Sequence, residues 1–151
     1  MTGMTLGEAV RNAVEVELAA GRFYDGLVDR ARTSEVRRVL ESLAGQEFRH
    51  ARAVRSVGML LASGELAAPD DGPLDLVETA PAWMFVEDIG LPEALQVAFE
   101  AETHAYIYYD ALVDVTSGSL QGFFRQLKGR EEEHVRDVAR LIALVGGKVR
   151  V

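Results

Sequence analysis

Nearly all of the hydrophobic periodicity in this chain is helical, with apolar positions recurring three and four residues apart along four stretches. Thr5-Leu-Gly-Glu8 reads as a capping box opening a first helix, predicted over about 5–32. Its inner face carries Val10, Ala13, Val14, Ala20, Gly21, Tyr24, Leu27 and Val28. A second helix is predicted over about 34–63, with Val36, Val39, Leu40, Leu43, Ala51, Val54 and Leu61 inward and Gly64 as its stop. Pro69, Asp70-Asp71-Gly72-Pro73 and Pro81 then break the pattern. A third helix, over about 91–116, opens at Leu91-Pro92, where the missing proline N–H is not needed. It turns Leu95, Ala98, Phe99, Ala105, Tyr106, Tyr109, Leu112 and Val113 inward. After Ser117-Gly118-Ser119 a fourth helix, over about 119–145, buries Leu120, Phe124, Leu127, Val138, Leu141 and Val145 and ends at Gly146-Gly147.

Short turns after the first and third helices make each pair antiparallel neighbours. The middle connection, over about 65–89, is long. A helix of about 28 residues measures about 42 Å, and extended chain crosses that length in roughly 13 residues. The second and third helices can therefore run parallel, with the linker returning along the bundle. The predicted fold is all-α: a single domain over 1–151, a four-helix bundle with one long crossover and duplicated helix pairs. Trp83-Met84-Phe85 in the linker is an apolar cluster expected to plug the flank of the bundle, ahead of a role as a dimer contact.

Four glutamates interrupt the apolar faces where leucine would be expected. Glu17-Leu-Ala-Ala-Gly-Arg-Phe-Tyr24-Asp25 is echoed by Glu102-Thr-His-Ala-Tyr-Ile-Tyr-Tyr109-Asp110. Leu43-Ala-Gly45-Gln-Glu47-Phe-Arg-His50 is echoed by Leu127-Lys-Gly129-Arg-Glu131-Glu-Glu-His134. Each half thus offers a lone Glu followed by a Glu-x-x-His. A carboxylate taken out of water costs several kcal/mol even after relaxation, and four together repel one another. Two divalent cations remove the difficulty, because their charge cancels that of four carboxylates while two imidazoles stay neutral. The predicted metal ligands are Glu17, Glu47, His50, Glu102, Glu131 and His134. Within each Glu-x-x-His both side chains lie on one helix face. Mixed oxygen and nitrogen donors suit Fe, Mn or Co, and the lack of thiolates argues against structural Zn.

Glu15 and Glu100 repeat as well, but two residues on a helix turn the side chain to the far face. Tyr24 and Tyr109 lie two turns beyond the lone glutamates, placed either as core aromatics or as phenols donating to a ligand carboxylate. Tyr106 and Tyr108 are expected to pack, with a radical-carrying role second. Asp25 and Asp110 read as solvated carboxylates ahead of partners for the imidazoles, Glu132 and Glu133 as surface charge, and His104 as pointing away.

Composition narrows the choice further. Among 151 residues, 48% are apolar, as in a soluble globular protein. A formal net charge of −8 argues against nucleic acid and against an anionic membrane surface. With no cysteine, disulfides, zinc ribbons and iron–thiolate centres are excluded within the chain. No secretory leader or membrane-spanning run is visible, so a cytoplasmic protein is expected.

Glu followed seven residues later by Tyr, then Glu-x-x-His, the whole written twice, resembles the rubrerythrin branch of the ferritin-like superfamily. The resemblance spans all four helices. It implies two irons (or Mn, or a mixed pair) held by Glu17, Glu47, His50, Glu102, Glu131 and His134. It also implies oxidation of Fe(II) by O2 or H2O2, a separate electron-donor protein and a homodimer. Two departures stand out. Peroxide-reducing rubrerythrins usually carry a rubredoxin domain, for which this chain has no cysteines. They also have a further Glu three residues after the lone Glu of the third helix, where Ala105 stands here, its repeat mate being Ala20. The six-ligand set looks more like a ferroxidase-type centre. A di-iron oxygenase using a pocket left by Ala20, Gly21 and Ala105, and a non-catalytic metal-binding or storage bundle, are the alternatives.

Overall fold

The Thr5 hydroxyl accepts from the Glu8 amide at 3.2 Å and donates to the Glu8 carboxylate at 3.0 Å, closing the capping box that starts the first helix. A computed structural model, describing residues 5–66 and 89–147, carries the chain from there through four α-helices. They are α1 Leu6–Leu27, α2 Ser34–Ser63, α3 Leu91–Asp114 and α4 Gly118–Leu144. Among the described residues no helix is long and apolar enough to cross a membrane.

The ends follow local chemistry. The first helix was expected to reach residue 32, but α-helical bonding stops at Leu27. Val28–Arg30 tightens into a 3-10 turn, and Ala31 takes extended backbone. Thr33 caps α2 by accepting from the Val36 amide at 3.2 Å, and Gly64, at φ 79°, ends it. α3 has Pro92 in its first turn and stops at Asp114, short of the expected 116. There the Thr116 hydroxyl donates to the Leu112 carbonyl, and the Gln121 amide donates to the Val113 and Thr116 carbonyls. Those side chains take acceptors that further helical turns would have satisfied. Past α4, Gly146 lies at φ 83° and the Gly147 N–H reaches the Ile142 carbonyl at 2.8 Å, a left-handed glycine stop.

Which residues meet in the core defines the topology. At one end Tyr24 and Leu27 of α1 pack with Leu40 and Leu43 of α2, Leu95 and Ala98 of α3, and Val138 and Leu141 of α4. At the other, Val10 and Val14 of α1 pack with Val54 of α2, Tyr109 and Leu112 of α3, and Leu120, Phe124 and Leu127 of α4. The late part of α1 thus meets the early parts of α2 and α3 and the late part of α4. α1 is antiparallel to α2, α3 is antiparallel to α4, and α2 and α3 run parallel. This is the expected all-α bundle. The crossover expected over about 65–89 lies, apart from Glu65, Leu66 and Ile89, outside the described residues, as does Trp83-Met84-Phe85.

Between the two apolar clusters lies one polar layer: Glu17, Glu47, Glu102, Glu131 and His134 are all buried, and His50 sits at its edge. Beside this layer α1 and α2 approach closely. A Cβ on Gly21 would come within 2.7–2.9 Å of three ring carbons of Phe48, so the aromatic ring occupies the space a side chain would need. Gly21→Val is expected to destabilise the fold by about 1–3 kcal/mol through overpacking. In a Phe48→Ala background the penalty is expected to shrink, read as a double-mutant cycle on thermal unfolding. Equal penalties in the two backgrounds would overturn this account of the contact.

Candidate metal centre

Each of the four helices sends one glutamate into the polar layer, and α2 and α4 add a histidine one turn beyond theirs. Glu17 and Glu102 are buried, whereas Glu15 and Glu100, two positions earlier, are exposed. The lone-glutamate choice read from the periodicity thus matches the burial. His104, Asp25, Glu132 and Glu133 are exposed. Asp110 pairs with Lys128 at 2.7 Å on the flank, and the Lys128 ammonium lies 5.5 Å over the Tyr106 ring. Tyr108 donates to the Ala9 carbonyl at 2.8 Å, tying α3 to α1. None of these side chains enters the layer.

The layer divides into two positions. The Nδ1 of His50 lies 3.8 Å from Glu17, 3.9 Å from Glu47 and 3.7 Å from Glu131. The Nδ1 of His134 lies 2.6 Å from Glu47, 3.0 Å from Glu102 and 3.7 Å from Glu131. Glu47 and Glu131 therefore stand near both imidazoles, while Glu17 faces only His50 and Glu102 only His134. The two rings stack with centroids 5.3 Å apart. Donor atoms of Glu47, His50, Glu131 and His134 all fall within 4.8 Å of one another. Metals bound in this layer would be held by Glu17 and His50 on one side and Glu102 and His134 on the other, with Glu47 and Glu131 within reach of both.

Whether the donors suit a metal is tested by what they do among themselves. One oxygen each of Glu17 and Glu47, both oxygens of Glu102 and Glu131, and the Nδ1 of each histidine are buried without a hydrogen-bond partner. Buried polar atoms are nearly always satisfied, so eight in one layer need a common explanation. His134 Nδ1 and Glu47 Oε1 approach closely without the alignment of a hydrogen bond, as atoms do when aimed at a third point. Oxygen and imidazole donors in this number fit two Fe or Mn ions.

Electrostatics point the same way. Burial first, then the charges of neighbouring carboxylates, raises the Glu17, Glu47 and Glu102 carboxyls. Burial pushes Glu131 up too, but the imidazoles of His134 and His50 outweigh it and hold that carboxyl well below its ordinary range. Burial alone would lower His134. The carboxylates of Glu102, Glu131 and Glu47 at its Nδ1 edge instead raise it far above the usual imidazole value. His50 is raised as well, the carboxylates of Glu131 and Glu17 overcoming its partial burial. Without metal, both imidazoles and the Glu17, Glu47 and Glu102 carboxyls are thus drawn toward their protonated forms, with Glu131 the exception.

The tyrosines connect the halves crosswise. Tyr109 donates to Glu17 Oε1 at 2.6 Å, from the second half into the first. Burial and then the charges of Glu102, Glu47 and Glu131 push the Tyr24 phenol well above its ordinary value. Tyr109 is raised likewise by burial and by Glu17. The sequence left open whether each phenol is a core aromatic or donates to a ligand carboxylate; Tyr109 does both, and its carboxylate is the other half's. One contact was not foreseen. Gln46 Oε1 lies 3.0 Å from His134 Nε2, and Gln46 donates to the Ser42 hydroxyl at 2.9 Å. Gln46 left no signal in the repeat, because its counterpart is Arg130.

The Rubrerythrin family model matches residues 8–142. The chain is also similar in structure to a Thermotoga maritima protein described as a ferritin-like diiron-carboxylate protein. The TM-score is 0.75 at 23% identity, over 95% of this chain and 97% of that one. No curated protein matches the chain.

A raised group holds its proton more tightly in the folded chain than in the unfolded one. Its stabilisation is therefore present at and below its unfolded value and lost as pH rises through its folded value. For Glu17, Glu47 and Glu102 that loss begins near 4.5, and for His50 and His134 near 6.5. Glu131 runs oppositely, its contribution disappearing as pH falls below 4.5. The Tm of the metal-free chain is thus expected to fall between about pH 5 and about pH 8. Excess Mn2+ is expected to reverse the trend, since the ligands must shed protons to bind. Thermal unfolding with chelator and with metal checks both signs; a metal-free Tm that rises with pH overturns the account.

Proposed function

The chain belongs to the rubrerythrin family, and from that membership we propose a non-haem di-iron carboxylate oxidoreductase that oxidises Fe(II) with O2 or H2O2. The observation carrying the proposal is the layer of unpartnered carboxylate and imidazole atoms shared by four helices. Two irons bound there would supply the electrons for reducing a small oxidant, cycling between ferrous and ferric states. The ferrous state would be renewed by fresh Fe(II) or by a separate electron-donor protein.

The chain's own part is to hold, orient and dry the site. Tyr109 occupies Glu17 Oε1 and leaves Oε2 turned toward His50, so Glu17 has one oxygen to offer. The apolar clusters above and below keep water out, which strengthens every charge interaction in the layer. Among the six donors only the His50 side chain has appreciable exposure, 13%, against 0–1% for the others. A small oxidant would enter at that edge.

The size of the site favours such an oxidant over an organic substrate. The Phe48 ring fills the space beside Gly21, and Ala20 and Ala105 are themselves buried in the packing. Among the described residues, two surface cavities of about 650 and 730 Å³ are lined by none of the six donors.

Protein loaded anaerobically with Fe(II) and then mixed with H2O2, or with O2, is expected to develop near-ultraviolet ferric absorbance without any organic substrate. Glu47→Ala and Glu131→Ala each remove a carboxylate that stands near both imidazoles, and are expected to weaken metal binding about 10–100-fold and slow the oxidation with it. Stopped-flow absorbance and metal content per chain provide the readouts. A wild-type protein that binds metal but gives no absorbance change with either oxidant overturns the redox assignment.

A further inference from the structure

We propose that Gln46 is a positioning residue that makes the two metal positions unequal, an inference resting on the di-metal reading above. His134 is buried, and its Nδ1 faces Glu47, Glu102 and Glu131. An imidazole that gives its Nδ1 lone pair to a metal carries its proton on Nε2, and a buried N–H needs an acceptor. Gln46 Oε1, at 3.0 Å, provides one. The Gln46 amide is itself fixed, its NH2 donating to the Ser42 hydroxyl one turn back on α2. With Nδ1 facing the carboxylates and Nε2 facing Gln46, the proton that His134 keeps when it ligates a metal is the one on Nε2. Because Gln46 is neutral, it accepts from that N–H without adding a fifth negative charge to the four carboxylates.

The second half has no equivalent. The repeat places Arg130 where Gln46 stands in the first. Arg130 is exposed, donates to Glu133 at 3.3 Å, and as a guanidinium has no acceptor for an imidazole N–H. His50, at the edge of the layer, is left to be oriented by the carboxylates at its Nδ1 side. A duplicated scaffold therefore holds one preorganised position, with His134 and Glu102, and one looser position, with His50 and Glu17.

The test titrates metal-free full-length protein with Co2+ by calorimetry and follows exchangeable imidazole N–H resonances of the Co2+-loaded protein by NMR. Wild type is expected to show two binding steps of different affinity and one slowly exchanging N–H, from His134. Gln46→Leu is expected to weaken the tighter step about 10–100-fold, leave the other unchanged and abolish the slow N–H. Gln46→Glu keeps an acceptor and is expected to retain that resonance. Arg130→Gln, a substitution at an exposed position, is expected to add a second slow N–H and tighten the weaker step; this variant decides the matter if Gln46→Leu does not fold. Two equal steps in wild type, equal weakening of both steps in Gln46→Leu, or an Arg130→Gln protein identical to wild type overturns the inference alone. A wild-type chain that binds no Co2+ overturns the metal-centre reading along with it.

Discussion

Four carboxylates buried in a single layer of an apolar bundle cannot all be ionised unless positive charge comes to them. The desolvation of each costs several kcal/mol and their mutual repulsion adds to it. Protons or metals are the available remedies, and the layer is arranged so that they compete for the same atoms. The raised Glu17, Glu47 and Glu102 carboxyls and the raised imidazoles describe the protonated solution. The unpartnered oxygens and Nδ1 atoms mark what that solution leaves unsatisfied. The apolar clusters on both sides sharpen the competition, because excluding water makes the unpaired charge less tolerable and the paired charge stronger.

Duplication of the helix pair gives the layer its composition, but neither pair alone gives the site. The carboxylate nearest His134 is Glu47, from the first half, and the phenol that holds Glu17 is Tyr109, from the second. Glu47 and Glu131, one from each half, stand between both imidazoles. Chemistry and assembly are thus coupled: the donors come within reach of one another only when α2 and α3 run parallel and the two pairs face each other. Metal binding in such an arrangement also holds the halves together.

Helix faces were legible in the sequence because a buried stripe leaves a trace within one helix. Every inward position read for α1, from Val10 to Val28, is buried, and the glutamates in that stripe were separable from Glu15 and Glu100 by the turn angle alone. Caps and stops at Thr5, Gly64 and Gly146 were legible for the same reason, since their chemistry is local. What was not legible lies between helices. Phe48 against Gly21, Gln46 on His134 and the crosswise pairing of Tyr109 depend on which side chains face across a gap, and no periodicity encodes that. Buried Phe23 and Ile142 were missed because they lie just outside the narrow stripe used to trace each face.

The departures from internal symmetry bear on how the centre handles changing charge. Ala105 is buried, in the third-helix position where the resemblance led one to look for a further carboxylate. The layer thus has four carboxylates to offset its metals and no fifth to swing in at that position. Four balance two divalent ions, so oxidation of both would leave two positive charges uncompensated. Burial and the surrounding carboxylates hold both phenols protonated in the metal-free layer. Of the six donors, His50 alone has an appreciably exposed side chain, so an anion that offset such charge would reach the layer at the His50 side.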